Sequence, residues 1–399
     1  MLVGIIGKPN SGKSTFFSAV TLTDVAIANY PFTTISPNIG IAHVRVKCVC
    51  KELKVQDNPK NSFCVEGNRF IPVKIMDVPG LVPGASLGRG LGNKFLDDLR
   101  QADALIHVVD ISGKTDSEGK PCENHDPLKD IEFVEEELDL WLVSILKKDW
   151  QRISRRIETG NDRLESLLAE KLSGLSIKEG DIIEALNLSN LRNKLPTKWD
   201  DKDIFIFSRN LRRISKPILI AANKIDLPTA KVNIENLKSK NIDFVPCSAE
   251  AELLLRKAVK RGFIRYLPGD KNFEIIEESK LTPAQRASLD LVKEKVLKVW
   301  GSTGVQEAIN LAFFKLLGAV IVYPVEDENK LSDKEGNVLP DAYIMKKNST
   351  VKDLAMAIHS ELAKGFLYAI DVKKGVRLPS NYILKNSDVI KIVSTTRRG

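Results

Sequence analysis

Residues 7–15 read Gly-Lys-Pro-Asn-Ser-Gly-Lys-Ser-Thr, a spacing of glycine, lysine and hydroxyl that can grip phosphate. Gly7 and Gly12 let successive backbone N–H groups converge on an anion. Lys13 can reach the outer phosphates, and the Ser14 hydroxyl can ligate Mg²⁺. Lys8, Pro9, Asn10, Ser11 and Thr15 complete the loop. The same run could be a glycine-rich turn. The apolar segment Met1–Ile6 before it reads as a strand and Thr15–Val20 after it as a helix, which is the frame a phosphate loop needs.

Three further segments have the residue types to finish a nucleotide site. Asp77-Val78-Pro79-Gly80 follows a strand pattern, so Asp77 is placed to act on Mg²⁺, generally through water, and the Gly80 N–H to meet a γ-phosphate. Asn223-Lys224-Ile225-Asp226 follows the apolar run Pro217–Ala222. A carboxylate only accepts hydrogen bonds, so Asp226 can take two N–H donors from guanine, a pair adenine does not offer. A site built this way can reject the wrong base by roughly 10⁴–10⁵. Asn223 would hold the purine edge and the loop, and the Lys224 stem would cover the ring. Cys247-Ser248-Ala249-Glu250 follows the next strand, with the Ala249 N–H expected at the guanine O6. Thr33 and Thr34 stand where a residue sensing the γ-phosphate is expected, and Thr34 is the preferred Mg²⁺ ligand. Lys13, Thr34 and Gly80 are thus the groups expected to act on the transferred phosphate, with Ser14, Thr34 and Asp77 around the metal.

These motifs require strands that end beside one another. Ile41–Val46, Phe70–Asp77, Ala104–Asp110, Pro217–Ala222 and Phe244–Cys247 read as strands, several of them continuously apolar as in a parallel sheet. Helical patterns separate them, so the fold class is α/β, a doubly wound nucleotide domain over 1–124 and 206–318. Residues 125–205 break the rhythm. Ile131–Ile157 reads as one long amphipathic helix and Asn161–Leu172 continues in that style, which predicts a helical insertion too long for a single crossover. From 319 to 399 the pattern is a small α+β domain. Its strands are Val320–Val325, Asp341–Met345 and Val389–Val393, mostly antiparallel, with one helix over Leu354–Leu362 capped by Ser349–Asp353.

Bulk properties exclude some classes. The chain has 399 residues, 28% charged and 43% apolar, enough for two or three soluble domains. No apolar run approaches the ~20 residues of a membrane helix, and Met1–Ile6 is too short for a secretory leader. Five cysteines, at 48, 50, 64, 122 and 247, fit a reducing, cytoplasmic setting. Cys48-Val49-Cys50 invites a metal, but no second pair stands at zinc spacing, so scattered thiols are expected. The histidines form no ligand cluster, and His107, inside a strand, is expected as a packed or hydrogen-bonded core residue. A net charge of +8 is compatible with an RNA partner.

With these four motifs in order, the chain resembles the translation-factor-related GTPases, specifically the Obg-like family and its YchF branch. The resemblance rests on Gly7–Thr15, Asn29–Thr34, Asp77–Gly80 with the glycines up to Gly92, and Asn223–Asp226. The segment from about 320 resembles a TGS domain, a β-grasp module. Many YchF-branch proteins carry glutamate at the position of Asp226 and prefer ATP. The aspartate here leads instead to an expectation of GTP and GDP. Small GTPases orient the attacking water with a glutamine just after D-x-x-G, and here that place is Leu81, so slow intrinsic hydrolysis is expected, within an order of magnitude of the ~10⁻⁴ s⁻¹ scale seen without a catalytic partner. In related GTPases with this loop the residue matching Asn10 helps hold K⁺ near the phosphates, which makes K⁺ a candidate activator. The resemblance implies ribosome, rRNA or tRNA as partner, with no membrane and no DNA. Basic clusters fit that: Lys147, Lys148, Arg152, Arg155 and Arg156; Arg209, Arg212, Arg213 and Lys216; Arg256, Lys257, Lys260 and Arg261; Lys373, Lys374 and Arg377. The alternatives are an ATPase of the YchF type, or an RNA-binding module with incidental nucleotide turnover.

Overall fold

Strand β1 (Leu2–Ile6) carries the phosphate loop on its C-terminal end, and Val3, Ile5 and Ile6 are wholly buried. The computed structural model describes residues 1–22, 38–84, 98–160 and 162–395. Thr33 and Thr34, and the glycines at 88, 90 and 92, lie outside the described residues. β1 pairs in parallel with β5 (Ala104–Asp110), in which every residue is buried. β5 pairs in parallel with β6 (Ile218–Asn223), and β6 with β7 (Phe244–Cys247). Among the described residues the seven-stranded order is β2 (Ile39–Lys47), β4 (Asn68–Asp77), β1, β5, β6, β7, with β3 (Phe63–Val65) paired to β4. This is an α/β sheet, mixed but mostly parallel. Functional groups collect at the carboxyl ends of such strands. Here those ends bring Gly7, Asp77, Asp110, Asn223 and Ser248.

The chain divides into two compact units. One holds the described residues of Met1–Leu22, Asn38–Gly40 and Ile75–Ala308, the other those of Ile41–Lys74 and from Ile309 onward.

In the first unit, the long helix expected over Ile131–Ile157 is two helices, Pro127–Lys147 and Trp150–Glu158. The break falls at Asp149, whose backbone leaves the helical region and whose carboxylate pairs with Lys171 of the following helix. Leu164–Lys171, Glu179–Leu188 and Asp201–Ser215 complete the helical region. It is internally apolar: Trp141, Leu142, Leu168, Ile182, Trp199 and Phe207 share one core. The last helix of this region also docks through charge. Arg209 and Arg212 both donate to the fully buried Asp139 carboxylate, at 3.0 and 2.8 Å.

After the short antiparallel pair β8 (Ile264–Arg265) and β9 (Glu274–Ile275) of the first unit, a five-stranded sheet in the second unit runs in the order β11 (Tyr343–Met345), β10 (Val320–Val325), β14 (Asp388–Ser394), β12 (Phe366–Asp371), β13 (Val376–Leu378). The pair β10–β14 is parallel and the others antiparallel. The single helix expected there is two, Val351–Ile358 and Ser360–Lys364. His359 takes an extended conformation between them, and its Nδ1 accepts from the Glu361 N–H at 3.2 Å. Thr350 and Asp353 form the cap of the first helix reciprocally. A short helix α2 (Val49–Leu53) and the hairpin β3–β4 were not legible in the sequence pattern.

Candidate functional site

The phosphate loop is shaped by residues that tolerate no side chain. Gly7 has φ 147°, and a Cβ there would lie 2.4 Å from the Val108 carbonyl oxygen. Gly12 has φ 97°, and its Cβ would lie 2.3 Å from Asn223 Nδ2. The loop therefore presses directly on β5 and on the residue expected to hold the base. Helix α1 (Lys13–Thr21) starts immediately after Gly12, so its first N–H groups face the loop.

Lys13 is nearly buried, and its ammonium donates to the Lys8 carbonyl at 2.7 Å. Burial pushes its pKa down to about 8, with the Asp77 charge opposing the fall. Ser14 Oγ lies 3.5 Å from Asp77 Oδ2. Asp77 Oδ1 is buried with no hydrogen-bond partner among the described residues. Burial raises the Asp77 pKa, with Lys13 and Ser14 opposing. A hydroxyl beside a carboxylate with an unmet buried oxygen is the donor set a hard divalent cation takes, so these residues fit Mg²⁺. Gly80 stands against the loop: a Cβ on it would lie 3.3 Å from Lys13 Nζ. Leu81 is buried, and its N–H donates to the Gly7 carbonyl at 3.0 Å. The residue after D-x-x-G is thus a core side chain.

Asn223 ties the base motif to the loop. Its Nδ2 donates to the Ser11 carbonyl at 3.0 Å, and its Oδ1 accepts from the Ala249 N–H at 2.9 Å. One side chain therefore joins three of the segments singled out in the sequence. Asp226 Oδ1 accepts from Ser248 Oγ at 2.8 Å, which orients the carboxylate. Lys224 has φ 71°, and its ammonium donates to the Asn10 carbonyl at 2.8 Å. Asn10, at φ 60°, donates through Nδ2 to the Gly119 carbonyl at 3.0 Å.

The remaining expected residues differ in what they can present to a ligand. The Lys8 side chain turns inward to the Thr115 carbonyl at 2.6 Å and the buried Asp130 at 2.7 Å, so what Lys8 can offer a ligand is its backbone. Glu250 is exposed on the first turn of the helix Ala249–Lys260. Pro9 packs against Gly119 and Gly80, and Thr15 is half-buried. Thr34 falls outside the described residues. His107 is buried with neither ring nitrogen hydrogen-bonded among the described residues, so of the two forms expected for it the packed one holds.

Asp110 is the site residue that sequence reasoning missed. It ends β5 and is fully buried. It accepts from Ser112 Oγ at 2.5 Å, Thr115 Oγ1 at 2.8 Å and Lys224 Nζ at 2.7 Å. Burial works against its charge, yet the Lys224, Ser112 and Thr115 hydrogen bonds hold its pKa below the ordinary carboxylate value. The one signal available was an acidic residue closing a strand that is otherwise apolar but for His107.

Comparison with known proteins agrees with this geometry. Family models match residues 2–148 as "50S ribosome-binding GTPase", 221–327 as "Obg-like GTPase YGR210-like, G4 motif-containing domain" and 335–394 as "TGS domain". An uncharacterized GTP-binding protein of Methanocaldococcus jannaschii is 52% identical over 99% of this chain and 100% of its own length. The chain belongs to the Obg-like GTPases. Within them it falls in the YGR210-like branch, related to YchF, with a C-terminal TGS domain. An uncharacterized GTP-binding protein of Schizosaccharomyces pombe is 36% identical over 90% of each chain. The ribosome-binding ATPase YchF of Bacillus subtilis is 27% identical over 92% of this chain and 87% of its own. A crystal structure of a GTP-binding protein from Pyrococcus horikoshii superposes with TM-score 0.78 at 43% identity, covering 99% of this chain and 100% of that one. The YchF GTPase of S. pombe shares the fold at TM-score 0.55 and 17% identity, covering 98% and 97%.

The basic clusters are partly spoken for. Arg212, Lys216 and Arg256 are buried; Lys216 donates to the Ala102 carbonyl, and Arg256 pairs with Glu252 at 2.6 Å. Lys148, Arg155, Lys257, Lys260 and Arg261 are exposed. No helix among the described residues is long and apolar enough to cross a membrane.

Proposed function

We propose that this GTPase is a slow GTP-hydrolysing switch acting on the ribosome. The observation that carries the reading is the double hydrogen bond of Asn223 to Ser11 and Ala249. It locks the loop that would hold the phosphates to the segment that would read the base. Asp226, oriented by Ser248, would accept from guanine N1–H and the exocyclic amine, and the Ala249 segment would face O6. The loop 7–15 would grip the phosphates through its backbone N–H groups and Lys13. Mg²⁺ would be held by Ser14 and Asp77, with Thr34, and would offset charge on the β- and γ-phosphates. The Gly80 N–H would meet the γ-phosphate.

Buried Leu81 supports slow intrinsic turnover, because an aliphatic side chain packed in the core neither orients water nor moves a proton. Charge stabilisation at the transition state would then come from outside, and we assign it to K⁺ held by Asn10. Hydrolysis in matched KCl and NaCl tests that assignment, with faster turnover in KCl expected and equal rates rejecting it. The nucleotide domain is read as 1–124 with 206–318, the helical insertion as 125–205 and the TGS-like domain as 319–399. Ribosome association is supported by the family description and by the YchF relatives, and the exposed cations of the helical region would contact phosphates.

Two experiments test the whole. Calorimetry with GTP and ATP should show binding of GTP at least tenfold tighter; preference for ATP would return the protein to the YchF type. Multiple-turnover hydrolysis should rise on adding 50S subunits. No stimulation, with ribosome binding intact, would leave a binding module.

A further inference from the structure

The expectation of scattered thiols fails for three of the five cysteines. Cys48, Cys50, Asp57 and Cys64 each present one ligand atom, and those four atoms all lie within 4.8 Å of one another. A second cysteine pair is not the only way to complete a metal site. Here a tight hairpin brings the third thiol back. Glu66 and Gly67, at φ 53° and 81°, form the two-residue turn between β3 and β4, and the Gly67 carbonyl accepts from the Cys48 N–H at 2.8 Å. Cys48 caps α2 and Cys50 sits in its first turn. Cys64 lies on β3, in register with Arg69.

The spacings suit a tetrahedral ion. Cys50 Sγ and Cys64 Sγ are 3.9 Å apart. Zinc–sulfur bonds of ~2.3 Å at tetrahedral angles give a sulfur–sulfur edge of about 3.8 Å. Cys48 Sγ lies 3.1 Å from Asp57 Oδ2. Charge is also provided for. Arg69, fully buried, donates to Asp57 Oδ2 at 2.8 Å, and also to Ser62 Oγ and the Leu339 carbonyl, each at 2.8 Å. A buried guanidinium offsets one of the negative charges that three thiolates and a carboxylate would bring, and a divalent cation offsets two more. Tyr323 supplies a second sign that the region is unfinished. Its ring lies 5.8 Å from the Arg69 guanidinium, and its hydroxyl is buried with no partner among the described residues. Donors of this kind surround metal–thiolate centres.

We propose that Cys48, Cys50, Cys64 and Asp57 bind one zinc ion, outside the nucleotide site. Soft thiolates select zinc over magnesium or calcium, and four protein ligands leave no open position, so the ion is structural. It fastens α2 to the β3–β4 hairpin.

The test uses the full-length chain purified without chelator. Metal analysis should give about one zinc per chain, lost in C50S and C64S and kept in C122S, whose cysteine lies outside the cluster. Because the serine variants can misfold, the wild-type chain is also stripped and reloaded with Co²⁺. Tetrahedral thiolate coordination then shows as intense visible d–d bands with sulfur-to-cobalt charge transfer, saturating near one equivalent. Substoichiometric zinc together with a weak octahedral cobalt spectrum overturns the proposal. So does a Cys50–Cys64 disulfide in the isolated protein.

Discussion

The Lys224 ammonium lies 2.7 Å from the Asp110 carboxylate and 2.8 Å from the Asn10 carbonyl, so the lysine expected to cover the base is clamped to both β5 and the phosphate loop. The clamp fixes the lysine stem before any ligand arrives, which lowers the ordering cost of binding. Asp110→Asn keeps the shape and removes the charge. A weakened charge-assisted hydrogen bond at a buried position costs about 1–3 kcal/mol. GTP affinity by calorimetry should therefore fall roughly 5- to 100-fold with the chain still folded. Unchanged affinity would show that Lys224 needs no anchor.

Asp226→Asn exchanges an acceptor for a group that can also donate. The variant should lose guanine nucleotides and gain xanthine nucleotides, whose C2 carbonyl accepts from the amide. Titration with GDP and XDP reads the reversal directly, and undiminished GDP binding would move the base to another part of the protein.

If Lys13 meets the phosphates as proposed, binding there should depend on pH. Its folded, ligand-free pKa is about 8 because burial penalises the charge. A triphosphate needs the ammonium, so binding takes up a proton above that pH. The dissociation constant should be flat below about pH 8 and then weaken by up to tenfold per unit. Lys13→Ala should bind weakly with this dependence removed. A wild-type constant that stays level to about pH 9.5 would mean that Lys13 is already charged before binding.

His107 gives the fold an acid limit. Burial, with Lys13 and Lys8 adding to it, lowers its pKa from 6.5 to about 3. The unfolded chain therefore binds a proton that the folded chain refuses. Stability from this residue is present above pH 6.5 and is lost as pH falls toward 3, by up to ~1.4 kcal/mol per unit. Denaturant unfolding of His107→Phe should show a shallower loss between about pH 6 and 4 than the wild type. Parallel curves would remove His107 from the account.

Much of the candidate site's framework was legible because its residues are local. Gly7, Gly12, Lys13 and Ser14 lie within one loop, and β5 and β7 occur over the residues their apolar runs mark. Helix breaks were not legible. The pattern over Ile131–Ile157 stays amphipathic through Asp149, where the backbone leaves the helical region and the side chain pairs with Lys171, 22 residues on. In the same way His359 splits a helix that periodicity alone would continue.

The linear order of motifs, each short and set after an apolar strand, by itself determined the class of fold and the kind of ligand, because parallel strands deliver their C-terminal ends to one edge whatever surrounds them. Only the tertiary structure decided which side chains meet across that order. Asn223 reaches Ser11 over 212 positions, Lys224 reaches Asp110 over 114, and Cys64 comes to Cys50 through a turn whose two residues both need positive φ. Such pairings depend on strand register and on burial that makes an unpaired polar group costly, and neither is written in the spacing of residues along a chain.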